Sequence, residues 1–134
     1  MEYLRKVDFA RLAATGERVT QALLDWDSGA TSCSVNCIKT PPGDGSPAGM
    51  HTHVVDQLFY ILSGTMSLEI DGQPYTAGPG TLVVFPAGVP HRNWNGGAEA
   101  TVHLARRFIA LRAQRNVHLI QFHQHLPLCL ECAS

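Results

Sequence analysis

Net charge of either sign is nearly absent from this chain. Ten Lys and Arg stand against eleven Asp and Glu, a formal net charge of −1 over 134 residues. So even a balance gives no global basic field to gather nucleic acid. Long hydrophobic runs are missing too. No stretch approaches the roughly 20 apolar residues that span a bilayer. The opening MEYLRKVDFARLAATGERV alternates charged and apolar residues and lacks the apolar centre of a signal peptide. The expectation is a cytoplasmic protein with neither nucleic acid nor membrane as partner. No segment is of low complexity, and no repeat recurs at a period of roughly 20–50 residues.

Cysteine is scarce, and its four copies do not form a disulfide framework. Cys33 and Cys37 fall in SCSVNCIK, which has the composition of a strand. Four residues along a strand place them about 13 Å apart, well beyond the roughly 7 Å that a disulfide tolerates. Two small buried thiols in a reducing compartment are expected.

What is present is a 45% hydrophobic composition, enough for one domain with a core. Asp8 precedes FARLAA, a short capped helix that Gly16 ends. RVTQALLDWD and SCSVNCIKT read as strands, and residues 41–49, PPGDGSPAG, as a loop. In TMSLEI, Met66, Leu68 and Ile70 alternate with Thr65, Ser67 and Glu69, the pattern of a half-buried strand. DGQ at 71–73 supplies a hairpin turn. TLVVFPAG, HRNWN and EATVHLA follow as further strands. Short strands joined by Gly/Pro turns predict an antiparallel sandwich or barrel. Beyond Ala105 the reading stays open: ARRFIALRAQR holds good helix formers, and VHLIQF suits a strand.

Two clusters of spaced residues carry the chemistry. The first runs Gly45, five residues, His51, one residue, His53, three residues, Gln57, six residues, Gly64. The second runs Gly80, five residues, Pro86, one residue, Gly88, two residues, His91, three residues, Asn95, and fifteen residues separate Gly64 from Gly80. Histidines at His51 and His53 on a strand project to one face, with Gln57 joining them if the register continues. His91 from a neighbouring strand completes a facial set. Imidazole and amide donors suit first-row metals, and a catalytic metal keeps open positions for water or substrate.

These spacings resemble the two motifs of the cupin superfamily over residues 33–105. The resemblance implies an all-β fold: a small cupin barrel, a double-stranded β-helix of the jelly-roll type. A short N-terminal helix and strand precede it and an irregular tail follows. It divides the chain into a domain at 1–111 and a tail at 112–134. It implies one divalent transition metal, Fe, Zn, Ni, Mn or Cu, at His51, His53, Gln57 and His91. Small cupins commonly pair, and open sheet edges need cover, so a homodimer is expected, with Trp94 and the N-terminal strand as candidate contacts.

One departure matters: Gln57 stands where the family usually has Glu. Gln57 either ligates the metal or hydrogen-bonds a water on it. Three imidazoles and an amide leave the charge of a divalent ion uncompensated. Such a site favours an enolate, a phenolate or a carboxylate, and it lacks an obvious general base.

Side-chain parity gives the pocket candidates. Phe59 and Ile61 follow Gln57 on its face, and Asn93 and Asn95 share parity with His91. His103, in TVHLA, either looks into the barrel or is an ordinary core or outward histidine. The inferred pocket is mostly apolar with a few polar groups, suited to a small organic molecule. The tail carries His123 and His125 with Cys129 and Cys132, whose spacing is unlike usual zinc patterns. Arg106, Arg107, Arg112 and Arg115 read as a solvated basic face.

Fold alone does not assign a reaction. The expected function is a metal-dependent, dioxygenase-like enzyme acting on a small, anionic organic substrate. The alternatives are a sugar-type isomerase or lyase and a non-enzymatic ligand-binding or sensor protein. The absence of a helix-turn-helix segment in the chain favours an enzyme over a regulator.

Overall fold

Helix α1 (Phe9–Ala13) opens the regular structure, with Asp8 as its cap: the Asp8 carboxylate accepts from Arg11 N–H at 2.9 Å. Eight strands follow: β1 (Val19–Leu24), β2 (Cys33–Thr40), β3 (Gln57–Ser63), β4 (Met66–Ile70), β5 (Gln73–Ala77), β6 (Leu82–Phe85), β7 (His91–Trp94) and β8 (Thr101–Phe108). This computed structural model describes residues 2–30, 32–45 and 47–108. The expectations for the tail, with His123, His125, Cys129, Cys132 and the boundary at 111, lie outside the described residues. No described helix is long and apolar enough to cross a membrane.

The strands form two antiparallel sheets in the order β1-β2-β8-β3-β6 and β5-β4-β7. Period-two alternation selects the inner face of each. Gln57, Phe59 and Ile61 of β3 are buried, as are Met66 and Leu68 of β4 and Val83 and Phe85 of β6. With Ile38, Ala77 and Ala105 they fill the space between the sheets. Phe85 and Phe59 meet edge to face with centroids 5.0 Å apart. Full burial of an aromatic of this size stabilises by roughly 1.5–3 kcal/mol.

A second, smaller core lies on the outer side of the larger sheet. There Leu12 of α1 packs with Val19 and Cys37, flanked by Val7, Leu23, Leu62, Val102 and Leu104. The Lys39 ammonium on β2 donates to the carbonyls of Leu12 and Thr15, tying the helix C-terminus to the sheet. Cys33 and Cys37 are both free, and both lie on β2.

Two elements depart from the sequence reading. β8 continues through Arg106 and Arg107 to Phe108, where helix formers left the assignment open; pairing with both β2 and β3 fixes that segment as strand. β5 was not expected as a strand. It is an edge strand, exposed along Gln73–Thr76 and containing Pro74, so it shows neither alternation nor β-branched enrichment.

The β3–β4 turn depends on Gly64. Its φ is +71°, and a Cβ there would clash with the Ala100 carbonyl oxygen and lie 2.9 Å from Thr101 Cα. Gly64→Ala should therefore cost more than about 2 kcal/mol in urea unfolding. An unchanged midpoint would show that the turn relaxes without strain.

Candidate metal centre

His51 and His53 do not sit on a regular strand, contrary to the expected alternation. β3 begins only at Gln57, and residues 52–56 carry no ladder. Long-range backbone hydrogen bonds place the two histidines instead. His51 N–H donates to His91 O, and His91 N–H donates to His51 O, each at 2.9 Å. The His53 carbonyl accepts from Gly88 N–H at 2.8 Å. Gly88 has φ +77°, the left-handed region that favours glycine. Asp56 Oδ1 accepts from Ala87 N–H at 2.9 Å, pinning the same turn a second time. The Pro86–Gly88 turn thus holds the His51–Asp56 segment against the start of β7.

The result is a tight group of three rings. Centroids lie 4.4 Å apart for His51 and His91, 4.9 Å for His51 and His53, and 5.2 Å for His53 and His91. One nitrogen from each falls within 4.8 Å of the others. His91 Nδ1 is 2.8 Å from Val89 O, and His51 Nδ1 is 3.3 Å from Gly49 O. A carbonyl only accepts, so each Nδ1 carries the proton and each Nε2 keeps its lone pair. Nε2 of His53 and of His91 are buried with no hydrogen-bond partner among the described residues. A buried polar group left unpaired costs about 1–3 kcal/mol.

Electrostatics favour the neutral form of His53 and His91. Burial pushes His53 below the usual histidine range, and the charges of Arg107, His51 and His91 add to it, while a nearby Gln57 amide opposes. Burial also lowers His91, partly offset by its bond to Val89 O and reinforced by His51. Two nitrogens each about 2.1 Å from one ion lie at most about 4.2 Å apart. The three histidines, with ligand atoms within 4.8 Å of one another and with unpaired Nε2 atoms on His53 and His91, are near that separation, and imidazole donors suit a divalent first-row ion. Among the described residues, no carboxylate joins the group.

The other candidates divide. Gln57 is buried at 9% exposure beside His53. Phe59 and Ile61 are buried on the same face. Phe85 stacks on the His91 ring at 4.4 Å, and Phe59 lies 4.5 Å from His103, so His103 is an interior histidine. Asn93 is buried in the strand that carries His91. Asn95 is fully buried and held by its neighbours. Its amide donates to Thr40 O at 2.9 Å and Glu99 O at 2.7 Å, and its carbonyl accepts from Gly97 N–H at 2.9 Å. It clamps β2, the 96–99 turn and its own strand end together, using both amide hydrogens. A surface cleft of about 540 Å³ lies away from the histidines, between residues 2–6 and β1.

Arg107 is exposed at the end of β8, as a solvated basic face requires, yet its place in the sheet ties it to the site. It pairs with Gln57 in the β3–β8 register and alternates with the inward residues Thr101, His103 and Ala105. Its charge bears on His53. Arg106 takes the opposite face, its guanidinium 4.2 Å over the Phe108 ring. The signal that would have found Arg107 was the parity of TVHLARR, had the strand been extended past Ala105.

An antiparallel jelly-roll with a three-histidine cluster at the end of its interior defines the class. A family model described as a cupin domain matches residues 37–105, and the chain belongs to that family. No curated protein matches it by sequence. Among solved structures it is similar to a protein of Acidithiobacillus ferrooxidans provisionally assigned as a sugar phosphate isomerase, at 29% identity and TM-score 0.60, covering 69% of this chain and 59% of that one. It is similar to the polyketide cyclase RemF of Streptomyces resistomycificus at 26% identity and TM-score 0.61, covering 69% and 65%. The chain thus spans less than two thirds of either. An RmlC-like cupin of Methanocaldococcus jannaschii, at 18% identity and TM-score 0.65 with 81% and 91% covered, shares the double-stranded β-helix fold.

Burial lowers His103 to about 4, with Arg18 adding to the shift. Its folded value lies below the unfolded value near 6.5, so its stability contribution is present above pH about 6.5 and lost as pH falls toward 4. In metal-stripped protein this loss should approach about 3 kcal/mol. His103→Leu should flatten the pH dependence of the unfolding free energy over that window. An equally steep profile in the variant would show that His103 does not titrate this way.

Proposed function

We propose that this cupin is a metal-dependent enzyme acting on a small, anionic organic substrate. The observation that carries the reading is the convergence of ring nitrogens from His51, His53 and His91, those of His53 and His91 buried and unpaired, with no carboxylate among them. His51, His53 and His91 would hold one divalent ion, Fe, Zn, Ni, Mn or Cu, with Gln57 as a fourth donor or as the partner of a bound water. A bound divalent cation would supply a Lewis acid that lowers the pKa of an enol, phenol or hydroxyl group.

The chain's own residues favour an anion in three ways. The imidazoles and the Gln57 amide add no negative charge. Arg107, exposed at the end of β8 and paired in register with Gln57, adds a positive one. The apolar wall of Phe59, Ile61 and Phe85 lowers the local dielectric and strengthens both effects.

A dioxygenase-like reaction is the first choice because proton-transfer chemistry needs a base that this group lacks. Gln57 cannot serve as one, and Asp56, exposed and bonded through Oδ1 to Ala87 N–H, is outside the histidine group. A sugar-type isomerase or lyase is the second reading, supported by the 29% identity to the Acidithiobacillus protein. A homodimer completes the proposal; a monomeric mass by light scattering at micromolar concentration would remove it.

Protein purified without an affinity tag should carry near-stoichiometric metal by elemental analysis, and His53→Ala should lose it. Full retention by that variant would contradict the assignment. Gln57→Glu should hold metal more tightly and bind azide about tenfold more weakly in the Co(II)-loaded protein, because it adds a negative charge at the centre. Arg107→Gln should weaken azide in the same direction without lowering metal content. Equal azide affinity in wild type and both variants would show that neither residue tunes the site for anions.

A further inference from the structure

Among the described residues, buried side-chain atoms without hydrogen-bond partners fall into two groups. Nε2 of His53 and of His91 belong to the histidine centre. The others are Arg18 Nη1, Thr40 Oγ1 and both ring nitrogens of His103. Four residues along β8 separate His103 from Arg107, about 13 Å, so the second group is a different place in the barrel.

Sheet register brings its members together. Val19 pairs with Lys39, Thr40 with Thr101, and Ile38 with His103. Val19 packs outward with Leu12 and Cys37, and the Lys39 ammonium is held by the end of α1. Their chain neighbours Arg18 and Thr40 therefore take the inner face, the side of Ile38 and His103. The Arg18 charge bears on the His103 ring. Thr40 and His103 are each 1% exposed, whereas the Arg18 side chain is 28% exposed at the β1 edge. Of the three, Arg18 alone reaches solvent.

Nothing in the described protein satisfies these groups. Asp44 Oδ2 lies 3.7 Å from Arg18 Nη1, beyond hydrogen-bond reach, and Asp44 Oδ1 is occupied by Gly45 N–H at 2.8 Å. A guanidinium only donates, a threonine hydroxyl can donate, and a neutral imidazole donates through one nitrogen. Three donors on one face call for a group rich in acceptor oxygens. Asp44 offsets part of the Arg18 charge, so recognition rests on aimed donors more than on net charge.

We infer that Arg18, Thr40 and His103 form a second binding subsite that takes an oxyanion, the carboxylate or phosphate of a small molecule entering past Arg18. The subsite does not depend on the histidine centre holding a metal.

The test uses the full chain stripped of metal, at constant ionic strength set with chloride. Acetate and inorganic phosphate are titrated separately while the His103 ring signals are followed by NMR, assigned with His103→Phe. At least one probe should give a saturable His103 shift. Arg18→Gln should raise its dissociation constant at least tenfold, Thr40→Val severalfold, and Arg18→Lys should fall between wild type and Arg18→Gln. Tighter acetate assigns a carboxylate, and tighter phosphate a phosphoryl group. If Arg18→Gln does not fold, Thr40→Val and Arg18→Lys carry the comparison. No saturable shift with either probe, or an affinity unchanged in the variants, would overturn the subsite.

Discussion

The paired backbone hydrogen bonds between His51 and His91 are the constraint on which the candidate centre depends. They are an isolated bridge: His91 heads β7, which ladders with β4, but the His51 segment has no ladder of its own to share the load. Without it, His51 and His53 would lie on a loop between a Pro/Gly-rich segment and β3, and His91 would face the interior alone. The Pro86–Gly88 turn reinforces the bridge by engaging the His53 carbonyl and the Asp56 carboxylate. The glycine and proline of the second motif therefore act on the first motif. They hold the histidine segment rather than simply reversing the chain.

The interior has polar ends and an apolar middle. His91, Phe85, Phe59 and His103 touch in sequence, with centroids 4.4, 5.0 and 4.5 Å apart. The aromatic pair separates the three-histidine group from Arg18, Thr40 and His103. Each end carries buried nitrogen or oxygen atoms that the described protein leaves unpaired. Such atoms oppose folding, so the barrel owes its stability to the apolar middle and to the outer core beneath α1.

Much of this was legible in the sequence because a β-strand has a period of two. Met66 and Leu68, Phe59 and Ile61, and His91 and Asn93 all face as alternation requires. Alternation could not show that Asn95, also inward, would be held by the carbonyls of Thr40 and Glu99, one of them 55 residues away in the chain. It could not show that His51 and His53 are placed by a turn more than thirty residues later, since their local pattern looks like a strand. The influence of Arg107 and Arg18 on two histidines stayed hidden for a related reason. Arg107 is exposed and Arg18 only partly buried, so neither marks an interior by its own pattern, and only the register of neighbouring strands brings their charges near His53 and His103.

The account stands on three imidazoles sharing one divalent ion. X-ray absorption at the metal edge of the loaded, untagged protein tests this most directly. A nitrogen/oxygen shell at about 2.0–2.1 Å, with the outer-shell scattering of three imidazole rings, is the predicted result. Sulfur neighbours, or a shell without imidazole scattering, would contradict it.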